Sequence, residues 1–180
     1  MLSNCSLGHN YNLAILQDAI DENDGNPHLE YTKLHSLKFL EQFVKESLRS
    51  WMAFLERVCT KDYFIPELNV TIPKGALVQI PASSLMHEEQ FFPNPDAFDP
   101  EAHFDNDTLI PSSFYSFGHG PRNCVGMRFA WTVMRVLLVQ VLANFKVLPG
   151  PNFPDKFEID TRSSQFLPKN GVHVKLEARQ

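Results

Sequence analysis

The sequence predicts a mainly α fold with small β-sheets. Three observations carry that expectation. Apolar residues recur at three- and four-residue steps over long stretches, most clearly from Leu37 onward and over residues 125–144, which is the period of an amphipathic helix. Shorter stretches alternate apolar and polar residues, the period of a strand, with Pro and Gly at their ends. Between them, residues 87–116 are rich in Pro, Asp, Asn and Ser and read as an irregular meander with at most short helices, a kind of loop that is often functional.

The elements follow in order along the chain. Residues 11–22, YNLAILQDAIDE, place Leu13, Leu16 and Ile20 on one helical face, and NDGNP stops that helix. Residues 31–36 lead into the next helix. From Leu37, the positions Leu40, Phe43, Val44, Leu48, Trp51 and Leu55 keep helical spacing, and Glu46 and Arg49 sit three apart on it, close enough to pair. The period then changes. VCTKDYFIP and VTIPKGALVQIP read as strands, the second folded back on itself at Pro73-Lys74-Gly75. Residues 125–144 form the most apolar helix, expected to be buried. FKVLPG and GVHVKLEA end the chain as strands around a polar loop.

Composition narrows the function. The 180 residues are 43% hydrophobic and 21% charged, ordinary for a globular chain able to build a core. A net charge of −5 argues against bulk nucleic-acid binding. Cys5, Cys59 and Cys124 are widely spaced and odd in number, which is no disulfide framework and fits a reducing compartment. Residues 1–10 lack the basic flank and apolar run of a secretory signal. The apolar run from Phe129 is interrupted by Arg135 and Gln140, so it is read as an amphipathic helix and not a membrane span.

Four features bear chemistry. FGHGPRNCVG, residues 117–126, sets Cys124 just before a helix, with Asn123 as a candidate cap. A thiolate is favoured by the positive end of a helix and by a neighbouring cation. Gly118, Gly120 and Gly126 let backbone approach a bulky ligand, and Arg122 can pair with a carboxylate. A lone cysteine is usually a small buried residue, but this combination suits a haem held by cysteine. Zinc fits poorly, because His119 and Cys124 lack a paired cluster to complete four ligands. A phosphate loop fits poorly too, for want of a Gly-Lys-Ser/Thr ending. The second feature, Glu46-x-x-Arg49, would alone be a routine surface pair, but its apolar flanks favour burial. The third, FPNPDAFDPEAHF (92–104), carries His103 as a core residue, a partner for that pair or a solvated side chain. The fourth, FLERVCTKDY (54–63), carries Arg57, which alone would read as a solvated charge.

Together these features resemble the C-terminal part of a cytochrome P-450, a haem-thiolate monooxygenase. FGHGPRNCVG resembles the family's haem-binding loop, ESLR its Glu-x-x-Arg helix, and FPNPDAFDPEAHF its meander, in the family's order. LERVCTKDY and GPRNCVGMRFA are most similar to the microsomal eukaryotic branch. The resemblance covers about Tyr11 to Leu176. It implies that residues 1–180 form a single partial domain, the C-terminal part of the fold, without the N-terminal anchor and the distal oxygen-activating helix. It implies heme b with Cys124 as proximal thiolate ligand and Phe117 packed against the haem's proximal side, near the sulfur. Gly120 and Gly126 would allow the loop's turns, and Arg122 and Arg57 would pair with haem propionates. Glu46, Arg49 and His103 would form the structural network beneath the haem. The implied reaction inserts one oxygen atom from O2 into a small lipophilic substrate, with electrons from NADPH-cytochrome reductase, at the endoplasmic reticulum membrane. The competing expectation is a truncated, non-catalytic fragment that binds haem or reductase.

Overall fold

The structure, a computed structural model, describes residues 20–21, 31–51, 54–105, 113–151, 153–154, 157–160, 162 and 167–179. The helix expected over residues 11–22 and the thiol of Cys5 lie outside the described residues, apart from Ile20 and Asp21.

Helix α1 spans Tyr31–Ser36 and α2 spans Lys38–Trp51. Leu40, Phe43, Val44, Glu46 and Arg49 of α2 are buried on the face its spacing predicts. They meet Ile20, Leu34, Leu37, Phe98, Val139 and Leu142 in the main core. There the rings of Phe43 and Phe98 pack edge to face, 5.4 Å between centroids. Leu55, which keeps the helical spacing, is instead in a strand.

Four short strands follow: β1 Leu55–Val58, β2 Tyr63–Ile65, β3 Val70–Ile72 and β4 Leu77–Ile80. β1 pairs antiparallel with β4, Arg57 opposite Val78, and β2 pairs with β3, Phe64 opposite Thr71. This corrects the expected hairpin about Pro73-Lys74-Gly75. That turn exists, with the Ala76 amide donating to the Pro73 carbonyl at 3.1 Å and Gly75 at φ +84°. It does not pair β3 with β4, because the Cys59 amide donates to Ala76 O and the Gly75 amide to Cys59 O, extending the β1–β4 ladder. The inner hairpin closes through a single 3-10 turn over Pro66–Leu68, ended by Asn69 in the left-handed region.

A short helix α3, Ala82–Leu85, opens the meander, and α4, Pro100–Phe104, ends its described first part. The Asp99 carboxylate accepts from the Ala102 amide at 3.0 Å, and Pro100 fixes the first helical position. Ala82, Met86, Phe92 and Phe104 form a second apolar cluster under this segment.

Helix α5 spans Met127–Asn144. It is less buried than its composition suggests. Arg135, Val139 and Leu142 are buried, whereas Phe129, Val133, Val136 and Leu137 are exposed on another side. β5, Phe145–Pro149, and β6, Val174–Ala178, are the two strands expected near the end of the chain, and they pair antiparallel. Among the described residues no helix is long and apolar enough to cross a membrane.

Candidate functional site

The loop around Cys124 is a chain of turns closed by backbone hydrogen bonds. The Gly118 amide donates to Tyr115 O at 2.9 Å, the Asn123 amide to Gly120 O at 3.1 Å, and the Cys124 amide to Phe117 O at 2.8 Å. Gly118 and Gly120 have φ of +70° and +76°, where an L side chain is strained. Gly126, expected to share that role, lies at φ −86°, open to any residue. What its missing side chain leaves is room beside sulfur, since a Cβ there would sit 3.9 Å from Cys124 Sγ.

Helix α5 begins three residues after Cys124, with Gly126 at its N-cap and no side-chain cap. Asn123 therefore does not cap it; Asn123 ends the preceding 3-10 turn over Gly120–Arg122. Cys124 is a free, exposed thiol, and its neighbours Val125 and Phe129 are also exposed.

Strand β1 supplies the second cation. Leu55 stands against Gly118, where a Cβ would come within 3.9 Å of it, so the strand lies beside the loop. Arg57 Nη2 donates to the Arg122 backbone carbonyl at 3.2 Å, so the strand reaches the loop there. Both are exposed, and among the described residues neither is in a salt bridge.

Glu46, Arg49 and His103 form one fully buried cluster. Arg49 donates in a fork to Glu46, Nε to Oε2 at 2.7 Å and Nη2 to Oε1 at 2.8 Å. Its remaining donors reach carbonyls of Met86 (2.9 Å), Pro95 (2.9 Å) and Ala97 (3.2 Å). Glu46 Oε1 also accepts from the Asp99 amide at 3.1 Å and lies 3.1 Å from His103 Nδ1. His103 Nε2 donates to Pro93 O at 2.8 Å, since a carbonyl can only accept. Burial by itself would raise the Glu46 pKa. The hydrogen bonds from Arg49 and His103, with their charge, outweigh it and hold the carboxyl below its ordinary value.

The cluster and the loop are separate but joined through Met86, whose carbonyl takes Arg49 while its sulfur lies 3.9 Å from the Ser116 hydroxyl. A second connection escaped the sequence reading. The Phe117 ring packs on Trp131 of α5, 5.8 Å between centroids at 44°. The Arg135 guanidinium lies 5.2 Å from the Trp131 ring and pairs with Glu41 of α2 at 2.9 Å. The signal was present: Trp131 and Arg135 are four apart on α5, on one face.

A model of the cytochrome P450 family matches residues 14–175, with this loop and this buried pair inside it. The chain belongs to the cytochrome P450 family. It is 37% identical over 173 residues to Cytochrome P450 9e2 of Blattella germanica, covering 91% of this chain and 32% of that protein. It is 34% identical over 171 residues to Probable cytochrome P450 6d4 of Drosophila melanogaster, covering 91% of this chain and 32% of that protein. It is 40% identical over 169 residues to Cytochrome P450 3A12 of Canis lupus familiaris, covering 91% and 33%. This P450 chain thus spans about a third of the length of the curated relatives it matches.

The family uses heme b ligated through a thiolate, and the residues present fit that group. A soft thiol stands free and exposed, with no second cysteine bonded to it. Exposed apolar side chains, Val125 and Phe129, flank it, and the Arg57 guanidinium reaches the backbone of Arg122, both arginines being without a salt bridge among the described residues. Among the described residues no His/Cys/Asp/Glu cluster offers a competing metal site.

Proposed function

We propose that this chain is part of a haem-thiolate monooxygenase that inserts one oxygen atom from O2 into a small lipophilic substrate. The observation that carries the proposal is the free, exposed Cys124 thiol at the end of a hydrogen-bonded loop, just ahead of α5. Cys124 is the residue that would hold the iron, through its thiolate sulfur. When bound, a thiolate-ligated haem supplies oxygen activation, because the sulfur donates electron density that favours O–O cleavage.

The chain's own residues do the holding. The Phe117 carbonyl fixes the Cys124 amide, which holds the cysteine backbone in place. Gly120 supplies the left-handed turn and Gly126 the space beside sulfur. Arg122 and Arg57 carry permanent charge for the haem propionates. Glu46, Arg49 and His103 pin α2 to the meander and keep the floor beneath the loop rigid. Lipophilic substrate, NADPH-cytochrome reductase as electron donor and location at the endoplasmic reticulum membrane belong to the same reading and rest on family likeness.

The decisive experiment adds haem to the purified chain, reduces it and records the carbon monoxide spectrum. A strongly red-shifted Soret band that disappears in Cys124→Ser is the expected result. No shift at any haem concentration would sink the assignment. A second reading, a non-catalytic fragment that binds haem or reductase, is favoured by the exposure of Val125 and Phe129 beside the thiol. It predicts the same spectrum with no substrate oxidation when reductase and NADPH are supplied.

A further inference from the structure

We propose that Trp131 is a positioning residue for the Cys124 thiol, acting through Phe117; the inference rests on the reading of Cys124 as the ligand. The Cys124 amide is held by the Phe117 carbonyl at 2.8 Å, so wherever the Phe117 backbone sits, the cysteine follows. The turns from Gly118 to Tyr115 and from Asn123 to Gly120 fix the loop's internal shape, and the Met127 and Ala130 amides of α5 donate to Cys124 O at 3.3 Å and Gly126 O at 2.9 Å, joining its end to that helix. Side chains make further ties. Arg57 reaches the Arg122 carbonyl, Leu55 stands against Gly118, and the Phe117 ring packs on Trp131 at 5.8 Å.

Of these, the ring pair is the one made to the main core, beside the contact of the Ser116 hydroxyl with the buried Met86 sulfur at 3.9 Å. Arg57 is exposed, and its hydrogen bond is at the long end of the usual range. Trp131 is half-buried and packs against the main core. It is itself braced: the Arg135 guanidinium lies 5.2 Å from its ring, is 5% exposed, and pairs with Glu41 of α2 at 2.9 Å. Glu41 is in turn paired with Lys45 at 2.9 Å. An unbroken series of contacts therefore runs from α2, through Arg135 and Trp131, to Phe117 and the Cys124 amide. Tryptophan is required for its ring, because aliphatic filler would complete the core without stacking on Phe117.

That distinction supplies the test. Trp131→Leu keeps apolar volume and loses the ring pair, whereas Trp131→Phe keeps a ring. Amide hydrogen exchange of the full chain without haem is followed by mass spectrometry in a peptide spanning 117–126 and in one spanning β5. Trp131→Leu is expected to speed exchange in the loop peptide by up to about tenfold, the scale of one aromatic pair. The β5 peptide stays unchanged, and Trp131→Phe restores the loop to near wild type. Phe117→Leu removes the same pair from the loop side, so it gives the same acceleration even where Trp131→Leu does not fold. Equal loop exchange in the Leu and Phe variants, or acceleration spread evenly over both peptides, would overturn the proposal. With haem added, Trp131→Leu is expected to lower the red-shifted fraction of the reduced carbon monoxide spectrum, and Trp131→Phe to recover it. A wild-type chain with no red-shifted band overturns the haem reading alone, since the exchange comparison still decides the positioning role.

Discussion

At the scale of single residues, the buried Glu46–Arg49–His103 cluster makes the sharpest demands. Glu46 and Arg49 are 0% and 1% exposed, so neither charge has water to fall back on. Removing one member of such a pair leaves the other charged and uncompensated, which costs about 3–5 kcal/mol. Glu46→Ala is therefore expected to lower the urea midpoint far more than a surface change does; an unchanged midpoint would show that Arg49 is solvated. The pH dependence follows from the same carboxyl. Its pKa is lower folded than its ordinary value of 4.5, so its contribution is fully present above that value and is lost as pH falls through the folded pKa. Stability measured from pH 7 down to 3 should fall in the acid range, and the fall should be shallower in Glu46→Ala. The i,i+3 spacing made this pair legible in the sequence. The three carbonyls that satisfy Arg49 were not legible, because they come from residues 86, 95 and 97 of a meander without periodicity.

At the scale of elements, the helices were readable and the strand partners were not. The period of α2 and α5 is written in their apolar spacing, and the structure ends each within a few residues of that pattern. Strand pairing depends on which backbone groups face one another, and alternation is silent on that. Val70 and Ile72 before the Pro73-Lys74-Gly75 turn, and Val78 and Ile80 after it, alternate as a hairpin would. Yet β4 pairs with β1 and encloses the β2–β3 hairpin. The nesting has a consequence for the site. Because β4 holds β1 in register, Arg57 projects from a paired strand and not from a loose loop, and it reaches the Arg122 carbonyl. The cap of α5 was misread for a related reason: Asn123 is a good capping residue by type, but the turns through Val125 and Gly126 delay the helix to Met127.

At the scale of the whole molecule, the exposed side of α5 needs an account. Phe129, Val133 and Leu137 follow one another at four-residue steps, with Val136 beside them, and are 76%, 45%, 60% and 42% exposed. Val125, next to the cysteine, is fully exposed and extends this surface to the mouth of the loop. Scattered apolar side chains on a surface are normal, but a contiguous stripe on one helix face is a liability for association in water. The 180-residue chain on its own is therefore expected to bind an apolar fluorescent dye and to self-associate as its concentration rises. Phe129→Glu combined with Leu137→Lys should reduce both effects. These positions are outside the core, so far-ultraviolet circular dichroism and the urea midpoint should be nearly unchanged, as for surface substitutions generally. Sedimentation across a concentration series, with dye fluorescence beside it, measures the difference. A wild-type chain that stays monomeric and dark to the dye would mean that the stripe is covered in solution.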